Sequence, residues 1–126
     1  MKKLILLTLL VCSLSMSAQQ FTRQYNWGLT TRDAVKGEWY PTDVLAYFNY
    51  NNDTTKMKFN INGEGFNMTQ NGVTTRETTK SGYVYQKLDM TDDETGESVI
   101  IELYDNVEYG VRMVFGTHAN SIQFAP

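Results

Sequence analysis

The feature that most constrains this chain is the run Lys56-Met57-Lys58-Phe59-Asn60-Ile61-Asn62-Gly63 and its continuation to Gln70. Met57, Phe59 and Ile61 alternate with polar residues, the period of a half-buried strand. Asn62-Gly63 is the favoured pair for a two-residue type I′ hairpin turn, in which both positions need φ > 0. With that loop, Ile61 pairs with Glu64, Phe59 with Phe66 and Met57 with Met68. Apolar residues then stand opposite one another on one face, where cross-strand pairs stabilise a sheet. A slip of one residue would send them to the other face. Turn chemistry and hydrophobic matching therefore select the same register.

The same grammar recurs along the chain. Asn71-Gly72 reads as a second hairpin turn, pairing Met68 with Thr75 and Phe66 with Glu77, and leading into a polar segment over 73–79 suited to an edge. Further strands are expected at Gln24 to Leu29, with Tyr25, Trp27 and Leu29 on one face, and at Val44 to Tyr50. Others are expected at Tyr83 to Asp89, Ser98 to Tyr104, Val111 to Phe115 and Ser121 to Phe124. No helical period of useful length appears beyond the first residues. The prolines are Pro41 and Pro126, so the middle of the chain is free of that breaker. The expected fold is all-β: an antiparallel meander of about eight or nine short strands closing into a small barrel, with a two-layer sandwich as the alternative.

The first eighteen residues read differently. Lys2 and Lys3 precede an apolar run from Leu4 to Leu14, and small residues follow at Ser15, Ser17 and Ala18. This is the pattern of a secretory signal peptide of bacterial type, too short in its apolar run to span a bilayer. Residues 1–18 are thus assigned to a leader and 19–126 to a single all-β domain, secreted or periplasmic. Val11, where a lipoprotein has a small residue before its lipidated cysteine, argues against lipidation of Cys12. The sequons Asn52-Asp53-Thr54 and Asn67-Met68-Thr69 would matter only in a glycosylating pathway.

Cys12 is the chain's one cysteine, so the domain after the leader has no disulfide and no cysteine-based metal site. Without Lys2 and Lys3 the 11 basic residues fall to 9 against 14 acidic, a balance of −5. That sign argues against nucleic acid and anionic membrane as partners, and no further apolar run reaches spanning length.

Little in the sequence points to catalysis. The one histidine, His118, lies in the expected turn Gly116 to Asn120 and reads as a solvated turn residue. A serine partner for it at Ser81, Ser98 or Ser121 lacks a nucleophile-elbow pattern. No enzyme activity, cofactor or metal is expected. The acidic run 89–97 offers oxygens to calcium but fails the EF-hand spacing; it reads as a solvated hairpin loop with Gly96 in the special backbone conformation.

Aromatic residues are abundant: eight Tyr, six Phe and two Trp. Most belong in the core, yet Tyr47 lies opposite the Phe48 face, and Tyr83 and Tyr85 lie opposite Val84 and Leu88. Exposed aromatics of this kind suit protein or glycan recognition, the leading expectation for this chain. Gly37-Glu38-Trp39 resembles the Gly-x-Trp that opens the first barrel strand in lipocalins. The resemblance implies a carrier of a small apolar ligand, with Trp39 plugging the closed end and Arg112 packing on its indole. It covers three residues, and Pro41 just after Trp39 departs from that pattern. The candidate ligand-binding residues are accordingly Trp39, Tyr47, Tyr83, Tyr85 and Arg112.

Overall fold

The computed structural model describes residues 19–126; the leader assigned to 1–18 lies outside the described residues. Ten strands form: β1 (Phe21–Arg32), β2 (Val35–Lys36), β3 (Tyr40–Phe48), β4 (Lys56–Ile61), β5 (Glu64–Gln70), β6 (Thr75–Thr78), β7 (Val84–Asp92), β8 (Ser98–Tyr104), β9 (Val111–Val114) and β10 (Ser121–Ala125). A short 3-10 turn at Tyr50–Asn52 joins β3 to β4.

The central hairpin has the register its sequence dictates. Asn62 (φ 49°) and Gly63 (φ 89°) make the left-handed turn. Met57 stands opposite Met68, Phe59 opposite Phe66 and Ile61 opposite Glu64. Phe59 is wholly buried, and Met57 and Met68 nearly so. Each such side chain contributes roughly 1.5–3 kcal/mol of burial free energy.

Strands β1, β3, β4, β5, β7, β8, β9 and β10 pair antiparallel in that order, and β10 returns to pair with β1. The result is a closed eight-stranded barrel rather than a sandwich. The seam joins Trp27 to Ala125 and Thr31 to Ser121. Closure removes the free edges that would otherwise offer unpaired backbone groups to other chains. The interior is filled by Val44, Ala46, Phe59, Met68, Ile101, Val111 and Phe124, among others, all buried in one cluster.

Two expectations are corrected. Asn71-Gly72 makes no hairpin, and Thr75 does not return to Met68. Instead β5 and β6 both pair with β7: Gln70 opposite Met90, and Thr75 opposite Lys87. Five residues along β5–β6 span three along β7, so the chain continues in one direction past a bulge of two extra residues. The polar 75–78 segment has no apolar face to lay on β5, whereas Met90 on β7 is an apolar neighbour that β5 can bury. The reversal comes later, where the Thr79 amide donates to the Tyr83 carbonyl (2.8 Å).

Tyr25, Trp27 and Leu29 do not share a face. The β1–β3 register shifts between Tyr25 (opposite Val44) and Trp27 (opposite Pro41). This irregularity re-phases β1. Tyr25 is buried in the core, Trp27 is exposed, and Gly28 comes in register with the core residue Phe124. Pro41 does not end the pairing; it sits inside β3, near its start.

Candidate functional site

The barrel is packed toward one end and hollow toward the other. A cavity of about 1040 Å³ opens at the end where β1, β4 and β9 begin and β3, β5 and β8 finish. Its apolar wall includes Tyr25, Phe48, Met57, Leu88, Met90 and Leu103. Strand alternation puts these side chains on the interior line of their strands. Polar groups are interleaved with them: Gln70 and Gln86 lie in the wall, and Arg23, Lys56 and Asp105 lie nearer the rim. Gly72 and Thr74 of the two-residue bulge also border the cavity, so the irregularity that defeated the second hairpin shapes this wall.

The electrostatics of the cavity are set by a few groups. Burial pushes the Tyr25 phenol up to about 12, against a smaller opposing effect of Arg23, so it enters the cavity as a neutral donor. Arg76, opposite Gln86 on the neighbouring strand, forms an ion pair with Asp105. Lys56 donates from Nζ to Thr69 Oγ1 at 2.8 Å. Arg23 lies over the Phe21 ring, 5.8 Å from its centroid.

A second cluster lies on the outer face. Glu102 stands opposite Lys87 and Arg112, on the side of β8 away from the core residues Ile101 and Leu103. It is nevertheless only 2% exposed. His118 Nε2 approaches Glu102 Oε2 at 2.8 Å, and Arg112 Nη1 lies 4.0 Å from Oε1. Arg112 also donates to Gln123 Oε1 and sits 6.0 Å from the Tyr104 ring centroid. Tyr85 packs on Tyr104 (5.4 Å), Tyr104 on Tyr109 (6.1 Å) and Tyr109 on Tyr83 (4.4 Å). Burial raises the Tyr85 and Tyr104 phenols, with Glu102 adding to both. Tyr109 is raised first by its hydrogen-bonding contact with Tyr83.

The structure thus gathers three of the five candidate residues, Tyr83, Tyr85 and Arg112, and joins them through Tyr104, Tyr109 and Glu102. Tyr47 lies elsewhere, half-buried and edge-on to Tyr50 at 5.8 Å. Trp39 does not plug the barrel. It lies in the loop between β2 and β3, 46% exposed, and Arg112 packs on Tyr104 instead. At that end it is Tyr40, 38% exposed, that lies on the interior line, opposite Gly28. Its ring fills the space beside Gly28, and its hydroxyl bonds Thr30 Oγ1 at 3.0 Å. Trp39, two residues after the motif glycine Gly37, faces out because the local register turns Tyr40, not Trp39, toward the β1 interior line.

His118 is more than a solvated turn residue, since its ring caps a buried carboxylate. Sequence could not show this, because Glu102 lies on the outward line of its strand. Ser121 Oγ contacts the His118 carbonyl rather than its ring (3.5 Å), and no serine hydroxyl bonds the imidazole among the described residues. In the acidic run, Asp92 Oδ1 accepts the amides of Glu94 and Thr95, and Gly96 adopts φ 76°, the geometry of a hairpin loop. Among the described residues no three His, Cys, Asp or Glu side chains come together as a metal would need. No helix there is long and apolar enough to cross a membrane.

No known family, curated protein or solved structure matches this chain. The functional reading therefore rests on the geometry.

Proposed function

We propose that this protein binds a small amphipathic molecule in the open end of its barrel. The observation that carries the reading is the cavity of about 1040 Å³, at the upper end of the range that ligand pockets occupy. A void of that size in so small a domain forgoes packing contacts that filled cores retain. Its wall is about half apolar and half polar, a mixture that suits an amphipathic molecule better than a purely apolar one. Phe21 and Val107 border the opening and are exposed, giving an apolar tail a first contact. The exported β domain expected from the leader would meet such molecules in the periplasm or outside the cell.

The test is direct. An environment-sensitive fluorescent amphiphile titrated into the protein should give saturable, single-site binding. Leu88→Trp, which fills the cavity from its wall, should weaken binding while keeping the cooperative unfolding transition. No saturable binding, or binding indifferent to Leu88→Trp, would overturn the reading.

A second reading, recognition of a protein or glycan by surface aromatics, is supported by Trp27 and Trp39. Both are nearly half exposed, and Trp27 stands opposite Pro41, two residues from Trp39. The tyrosines support it less, since Tyr85 and Tyr104 are largely buried in their own cluster. A glycan array and an envelope-extract pull-down with Trp27→Ala and Trp39→Ala as controls test it; retention that survives both substitutions counts against it.

A further inference from the structure

We propose that the ligand carries a negative charge at one end, and that the Arg23 guanidinium at the barrel mouth is its counter-ion. This rests on the small-ligand reading and adds the chemical class.

Arg23 stands opposite Ala46, and Tyr25 opposite Val44. Ala46 and Val44 are wholly buried in the core. Antiparallel partners share a face, so Arg23 belongs to the interior line of β1, between Phe21 and Tyr25. A cation on the inward line of a barrel is costly to desolvate unless it is paired. At this position the mouth leaves it exposed to water.

Among the described residues the ion pairs are Arg76–Asp105, Arg112–Glu102 and His118–Glu102. The carboxylate of the lining, Asp105, is thus engaged by Arg76. The other lining cation, Lys56, directs its ammonium to Thr69. Arg23 has the Phe21 ring beneath it and takes part in none of these ion pairs. The charged side chains of the lining are two cations, Arg23 and Lys56, and one carboxylate, Asp105.

Tyr25, two residues along the same inward line of β1, supplies a donor beside the guanidinium. The Tyr25 hydroxyl stays protonated far above neutral pH, because burial holds its phenol high. Gln70 and Gln86 line the cavity from β5 and β7, and Gln70 Nε2 is already engaged, donating to Thr74 Oγ1 at 2.7 Å. A guanidinium presents its donors as a planar fork suited to carboxylate, sulfate or phosphate oxygens. The apolar tail would then lie toward Met57, Leu88 and Met90.

Dodecanoate, dodecanol and dodecylammonium share a tail and differ in head charge, so they separate the contributions. Competition against the fluorescent amphiphile should rank dodecanoate first, about tenfold or more tighter than dodecanol, a ratio equivalent to one strong charge-assisted contact. Arg23→Gln should remove that preference by weakening dodecanoate far more than dodecanol, while Arg23→Lys should restore part of it. Circular dichroism and melting temperature confirm that the variants fold. Equal affinity for the three probes, preference for dodecylammonium, or a dodecanoate preference lost in Lys56→Gln but kept in Arg23→Gln would overturn the assignment and leave the carrier reading standing. Failure of all three probes and of the fluorescent amphiphile would overturn the carrier reading itself.

Discussion

His118 Nε2 lies 2.8 Å from Glu102 Oε2, joining an exposed loop to a carboxylate that is almost wholly covered on the outer face of β8. Buried charge is tolerated only when it is paired and hydrogen-bonded. Glu102→Ala removes the acceptor of the His118 contact, leaves Arg112 with only Gln123 and the Tyr104 ring, and empties a nearly fully covered site on β8. It should cost about 2–4 kcal/mol. His118→Ala should cost only about 1 kcal/mol, because the imidazole is largely exposed and water can replace it. Urea unfolding of the two variants measures the difference; equal costs would show that the histidine, not the burial, is what stabilises the carboxylate.

Tyr25 gives the fold an alkaline limit. Its phenol is raised from 10.0 to about 12 by burial, so the folded state holds the proton more tightly than the unfolded state. The corresponding stability is fully present below pH 10 and is lost as pH rises from 10 through 12. A shift of that size corresponds to about 3 kcal/mol. Phenolate absorbance should show Tyr25 among the last tyrosines to ionise, and Tyr25→Phe should flatten the loss of stability between those pH values.

Gly110 and Gly63 both adopt positive φ, 68° and 89°, but for different reasons. At Gly63 a Cβ would meet open space; at Gly110 it would collide with the Phe124 carbonyl. Gly63→Ala should therefore cost only backbone strain, about 1–2 kcal/mol. Gly110→Ala adds a backbone clash beside the closing strand β10 and should cost more than about 4 kcal/mol or abolish folding. Thermal melts of the pair decide it.

Trp39→Ala should cost only about 1 kcal/mol, since nearly half of the side chain is already in water, and should leave amphiphile binding unchanged. A plug at the closed end would make the same substitution cost several times more. Melting temperature and probe affinity together distinguish the two.

The hairpin Lys56 to Gln70 was readable to the residue because every cause of its register is local. A two-residue loop fixes the pairing, and the apolar side chains either match across it or do not. The candidate site was legible only in part. Tyr83, Tyr85 and Arg112 stood out as residue types, but Tyr104, Tyr109, Glu102 and His118 join them through strand pairings whose register the sequence does not print. Arg23 escaped notice because the inward line of β1 depends on its pairing with β3. Asn71-Gly72 misled because the same dipeptide serves a bulge as well as a turn, and what decides is the partner strand.

By itself the sequence determined an antiparallel all-β chain, the central hairpin and the polar character of 73–79, since period-two patterning and turn residues act over a few neighbours. Tertiary structure alone decided that β10 closes on β1, that the β1–β3 irregularity turns Trp27 outward, and that the bulge after Gln70 helps shape an open cavity. Those outcomes depend on contacts between segments far apart in the chain, where many registers satisfy the local pattern and only joint packing of the barrel selects one.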